Sequence, residues 1–129
     1  DLHRLIRRQR QMCIRDRHET ISDYIATARY ISDSGASGIK ISLLHILKDT
    51  DLYNDYCKGL FKALTMDEYL AAIGAILPVL PKSMVIHRLT GDGPKNILAA
   101  PLWTADKKRV LNTLSHYLKE NMIYQGKDL

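Results

Sequence analysis

The chain lacks a long hydrophobic run. A membrane span needs about 18 or more consecutive apolar residues, and the longest candidate, Tyr69 to Leu80, is broken by Gly74 and Pro78. A secretory signal is missing too, because neither an apolar core nor a small-residue cleavage site follows the arginine-rich start. The expectation is therefore a cytoplasmic protein with no membrane partner. Cysteine is scarce, with 2 in 129 residues. Cys13 and Cys57 lie far apart, with no C-x-x-C and no His/Cys cluster, so the pattern supports neither a zinc site nor a disulfide framework. Cys57, set between aromatic and apolar neighbours, reads as a small core residue. There is no low-complexity segment, and the length suits one domain or part of one.

Excess charge is also missing from most of the chain. The formal net charge is +5, but residues 1–17 hold six arginines and two aspartates, a net +4. The other 112 residues carry 13 basic and 12 acidic side chains and are nearly neutral. Residues 1–17 thus read as a basic arm, extraneous or disordered, ahead of a domain over 18–129. The run Arg10 to Arg17 has the look of translated sequencing-adapter sequence, and on that expectation the natural protein continues upstream of His18. Such an arm could bind phosphates by counterion release, which makes a small non-catalytic nucleic-acid-binding module the alternative reading of the chain.

What is present is a repeated order of helix, short turn and strand. Ile21, Tyr24, Ile25, Ala28 and Ile31 make one apolar helical face between Thr20 and Asp33. Thr20 and Asp23 resemble a capping box, with Asp in the usual Glu or Gln position. After Ser34–Gly38 a buried strand is predicted from Ile39 to Ile46, with Ile39, Ile41 and Leu43 facing one way and Lys40, Ser42 and Leu44 the other. Thr50 can cap a short helix ending at Gly59. Thr65 and Glu68 form a full capping box, stapled by Leu64 and Tyr69, for a helix reaching about Leu77. Pro78 and Pro81 close it, and a second strand begins near Met84. Thr104 is predicted to cap a final helix, with Asp106 in its first turn and Val110, Leu111, Leu114, Tyr117, Leu118 and Met122 on its buried face. The last five residues are expected to fray.

The stretch Met84 to Pro94 reads as a strand running into a glycine-rich polar loop, the place where open α/β sheets bind ligands. Two nucleotide readings fail on spacing. Gly91 and Gly93 lack the third glycine of G-x-G-x-x-G, where Asn96 stands, and no G-x-x-x-x-G-K-[ST] occurs. Arg88 either bridges Asp92 or contacts an anionic ligand. His87 and Arg88 alternate, so only one of them is expected to see a pocket. His45, read from the residues alone, is a hydrogen-bonded framework histidine before it is a ligand contact.

From about Glu19 onward the chain resembles a bacterial radical SAM protein family related to the Elongator catalytic subunit. The residues that carry the resemblance are Gly38 to Thr50 (GIKISLLHILKDT), Met66 to Tyr69, His87 to Pro94 (HRLTGDGP), and Pro101 to Trp103 with Lys107. The resemblance implies the C-terminal fragment of a partial (β/α) TIM-like barrel, with about two parallel strands and four helices. It implies a [4Fe-4S] cluster and S-adenosylmethionine in the intact parent, cleaved reductively to a 5′-deoxyadenosyl radical. The family's three cluster cysteines lie near its N-terminus and none is matched here, so the fragment alone should be inactive and hold neither cofactor. Leu44 and His45 would end the strand near the adenosyl moiety, with Lys40, Arg88 and Asp92 on the substrate side. The implied partner is the remainder of the barrel, and family analogy admits an RNA substrate. Two strands without their neighbours would leave an unpaired edge prone to aggregation.

Overall fold

In the computed structural model, which describes residues 9–14, 19–91 and 94–129, the elements follow in this order: β1 (Gln9–Ile14), α1 (Ile21–Asp33), β2 (Gly38–Leu43), β3 (Ile46–Leu47), α2 (Asp51–Cys57), α3 (Met66–Ile76), a 3-10 turn (Leu77–Val79), β4 (Val85–Arg88), β5 (Leu98–Ala100), a second 3-10 turn (Leu102–Ala105) and α4 (Lys107–Glu120). Helix starts are set by side-chain oxygens that accept the orphan amides of the first turn. In α1, Thr20 Oγ1 accepts from the Asp23 amide at 3.3 Å, and Asp23 accepts from the Thr20 amide at 2.7 Å. Aspartate therefore completes the box in place of the longer glutamate. Thr65 and Glu68 do the same for α3, at 3.1 and 3.2 Å. Thr50 caps α2 through the Tyr53 amide.

The cap of α4 is a correction. Asp106, not Thr104, accepts the first-turn amide, from Arg109 at 3.2 Å. The second 3-10 turn intervenes, and within it the Thr104 hydroxyl donates to the Pro101 carbonyl at 2.7 Å. The buried face of α4 is also narrower than the apolar spacing predicts. Val110 and Leu114 are buried and Tyr117 and Leu118 pack partly on the core, but Leu111 is exposed and Met122 is 74% exposed.

One sheet is three parallel strands in the order β1-β2-β4. Met12 and Ile14 of β1 join Ile39, Ile41 and Leu43 of β2 in the main core. That face is covered by Tyr24, Ala28 and Ile31 of α1 and by Leu70, Ile73 and Ile76 of α3. By the strand period of two, Gln11, Cys13, Lys40 and Ser42 share the opposite face, with Gln11 beside Lys40 and Cys13 beside Ser42. The parallel strands expected at Ile39 and Met84 are found, and so are four helices among the described residues. Gln9–Ile14, assigned above to the basic arm, adds a third parallel strand, and the apolar positions Met12 and Ile14 are what dock it.

The strand predicted from Ile39 to Ile46 is not continuous. The Leu44 amide still donates to the Ile14 carbonyl, but the chain then turns off the sheet at His45. Ile46 and Leu47 pair instead with Ala100 and Leu98 in an antiparallel ribbon. This ribbon roofs a small second core of Ile46, Phe61 and Ala100, with Leu44, Leu52, Tyr53 and Tyr56 packed against it. Tyr56 and Phe61 meet with ring centroids 6.0 Å apart. Tyr53 and Tyr56 pack against this core, and Cys57, one turn beyond Tyr53 at the end of α2, is exposed, which corrects its reading as a core residue. The final residues do not fray. Gln125 Nε2 donates to the carbonyls of Pro81 and Met84 at 2.6 and 2.7 Å, and the amides of Gly126 and Asp128 donate to Leu77 and Pro78. The tail thus satisfies carbonyls that the end of α3 leaves open. No helix among the described residues is long and apolar enough to cross a membrane.

Candidate functional site at the strand ends

The site is built where β2 and β4 end. Tyr69, in the first turns of α3, is fully buried and its hydroxyl donates to the Leu89 carbonyl at 2.7 Å. Burial pushes the Tyr69 phenol well above its ordinary value, and a hydrogen bond with the Thr90 hydroxyl only partly opposes this. The Tyr69 ring packs on Trp103, centroids 5.4 Å apart, and Trp103 Nε1 donates to the Leu64 carbonyl at 2.8 Å. A helix start, the packing of buried Tyr69 on half-buried Trp103 and the hydrogen bond to Leu89 therefore fix the backbone that leaves β4. Thr90 and Gly91 follow, both buried.

Gly91 lies directly on the end of β2. A Cβ there would stand 3.3 Å from Ser42 Cβ and 3.5 Å from His45 Cε1. The half-buried His45 ring occupies the two-residue break between β2 and β3, next to half-buried Leu44. Ser42, His45 and Gly91 are thus brought together at the carboxyl end of the parallel sheet, while Leu44 packs against the second core.

Lower on the same face, Lys40 and Arg88 are register partners on adjacent strands. The register shifts between Ile39 and Lys40, so that Ile39 pairs with Ile86 and Lys40 with Arg88, leaving His87 as the extra residue of a bulge. Its ring sits where a Cβ of Gly38 would point, with Nε2 2.6 Å from that position. Simple alternation does not hold through a bulge, and His87 accordingly shares the Lys40 face by its contact with Gly38. Asp92 lies outside the described residues, and with it the expected bridge to Arg88. Ser42, His87, Gly38 and Gly91 were missed as site residues. The signal available in the sequence was the pair of small residues, Gly38 and Gly91, at the two places where a side chain or a loop comes within contact of β2.

Among the described residues no group of three or more His, Cys, Asp or Glu side chains is placed to hold a metal ion. Cys13 stands on β1 and the exposed Cys57 at the end of α2. A cavity of about 240 Å³ opens between the starts of α1 and α3, lined by Glu19, Thr20, Ile21, Tyr24, Leu64, Glu68 and Ala71, in the helical layer and away from Lys40 and His87.

Residues 36–120 match the model of the radical SAM C-terminal domain. The chain belongs to this family. The chain is similar to the uncharacterized protein YtqA of Bacillus subtilis (strain 168), 39% identical over 101 residues, an alignment that takes in 78% of this chain and 31% of that protein. Protein YhcC of Escherichia coli (strain K12) is 25% identical over 108 residues, covering 84% of this chain and 35% of that protein. The chain thus spans about a third of the length of the curated relatives it matches. Among solved structures, the archaeal Methanocaldococcus infernus Elp3 with an N-terminal deletion superposes with a TM-score of 0.68 at 15% identity, over 89% of this chain and 28% of that one. The radical SAM domain described here therefore has the fold of the C-terminal part of a TIM-like barrel, parallel strands inside and helices outside, as the resemblance implies.

Proposed function

We propose that this chain forms the last part of the barrel of a radical SAM enzyme and shapes its S-adenosylmethionine and substrate cavity. The observation that carries the reading is the convergence of His45, Ser42 and Gly91 at the carboxyl end of a parallel sheet, where α/β folds bind ligands. The residues described here do not suit a [4Fe-4S] cluster, so that group is assigned to the preceding part of the barrel. There, with S-adenosylmethionine, it would supply the reductive cleavage that yields a 5′-deoxyadenosyl radical. The role of this chain's own residues is to bind and orient. Leu44 offers an apolar surface and His45 a polar edge to the adenosyl group, while Lys40, Arg88 and Asp92 face the substrate. The remainder of the barrel, pairing with the sheet edge, is the partner.

The test uses the full-length protein that contains these residues, reconstituted anaerobically with iron and sulfide. His45→Ala and Gly91→Ala should each weaken S-adenosylmethionine binding roughly tenfold, the equivalent of about 1.4 kcal/mol. Gly91→Ala acts by pressing its new Cβ on Ser42 and His45. Formation of 5′-deoxyadenosine is the readout of cleavage. Unchanged binding in both variants removes Leu44 and His45 from the cofactor side, and absence of 5′-deoxyadenosine from the wild type removes the enzyme reading itself.

A further inference from the structure

Among the described residues, the inner face of β2 and β4 carries a cluster of positive charge. Lys40 and Arg88 are paired in register, and like charges side by side on neighbouring strands repel. His87 adds a third nitrogen-bearing side chain, its ring held over Gly38 by the bulge. Among the described residues no carboxylate forms an ion pair with any of the three. Half-buried Lys40 would lose more water once the rest of a barrel closed over this face, and desolvation raises the penalty on an unbalanced charge. Two cations held in register, with a histidine placed beside them by a bulge, make this face electropositive among the described residues and suited to an anion.

We infer that Lys40, His87 and Arg88 form a subsite for a phosphate group of the substrate. Two full positive charges and an imidazole match the charge of about −1.5 to −2 on a phosphate monoester better than the single charge of a carboxylate. The planar Arg88 guanidinium and the Lys40 ammonium supply charge-assisted donors, and His87 Nε2 a further one. The inference deepens the proposed site and rests on the reading that this face lines the substrate cavity. The phosphate of a free nucleotide and that of an RNA backbone share this chemistry.

The experiment is an NMR titration of the isotopically labelled chain, following the His87 ring and Arg88 side-chain signals. Sodium phosphate is the probe and sodium chloride at equal ionic strength the control, with the exposed His116 on α4 as an internal reference. The expected result is saturable phosphate shifts at His87 and Arg88, absent with chloride and absent at His116. Lys40→Met and Arg88→Gln should each weaken binding about tenfold. Arg88 is exposed, so its variant keeps the core signals even if Lys40→Met perturbs them. Two further arms identify the source. Adenosine monophosphate binding at least as tightly as a short single-stranded oligoribonucleotide supports a nucleotide, whereas tighter, steeply salt-dependent binding of the oligonucleotide supports RNA. Equal shifts with chloride, equal shifts at His116, or binding unchanged in both variants overturns the subsite. This readout is independent of S-adenosylmethionine cleavage by the full-length protein, so loss of either result leaves the other standing.

Discussion

Tyr69 occupies a fully buried position, and its hydroxyl finds its partner 20 residues along the chain in the Leu89 carbonyl. That single bond ties the start of α3 to the exit of β4. Tyr69→Phe keeps the ring contact with Trp103 and removes the hydroxyl with its bonds to Leu89 and Thr90, so it should destabilise the fold by about 1–2 kcal/mol in urea melts. The variant also carries a pH signature. Burial raises the phenol above its ordinary 10.0, so the folded state holds its proton more tightly than the unfolded state. The stabilisation is complete below pH 10 and is lost as pH rises from there through the folded value, at up to ~1.4 kcal/mol per pH unit. Wild-type stability should fall more steeply above pH 10 than that of Tyr69→Phe. Parallel alkaline profiles for the two proteins would show that Tyr69 does not titrate against folding.

At the scale of elements, local chemistry was the most legible. The boxes Thr20/Asp23 and Thr65/Glu68 were readable because a cap needs only a hydroxyl and a carboxylate three residues apart. The start of α4 was read two residues early because both Thr104 and Asp106 can cap. What decides between them is the 3-10 turn that occupies the Thr104 hydroxyl. Asp106→Ala should therefore cost about 1 kcal/mol through loss of the α4 cap, measured by chemical denaturation, and should cut helicity by circular dichroism. Thr104→Ala should leave the helical signal intact; the reverse order would return the cap to Thr104. The break at Leu44 and His45 was not legible locally. Ile39 to Ile46 reads as one continuous strand with an apolar and a mixed face, and only pairing with Ala100, more than 50 residues on, pulls Ile46 into another sheet. The docking of the C-terminal tail escaped for the same reason, since its acceptors belong to residues 77–84. In the candidate site, Lys40 and Arg88 were legible as cations at strand positions. The bulge that joins them to His87 was not, because a register shift leaves no trace in either strand alone.

For the whole molecule the decisive question is what covers the open face and the edges of the parallel sheet. Parallel sheets are ordinarily covered on both faces, yet among the described residues helices cover one face of β1-β2-β4, with β1 and β4 as its outer strands. An edge of that kind pairs with whatever strand is at hand. The place of β1 is therefore informative: Met12 and Ile14 are 3% and 0% exposed, and the ladder runs unbroken from Gln9 beside Gly38 to Ile14 beside Leu43. Burying two such side chains stabilises by about 1.5–3 kcal/mol each, a large part of a typical 5–15 kcal/mol for a domain. Deleting residues 1–17 should thus abolish the cooperative thermal transition and drive the chain into aggregates on size-exclusion chromatography. An arm extraneous to the domain, the reading that charge alone favours, would leave the melt unchanged. A deleted chain that recovers its transition when the upstream part of the barrel is supplied would show that the edge beside β2 belongs to the missing barrel and that Gln9–Ile14 takes its place.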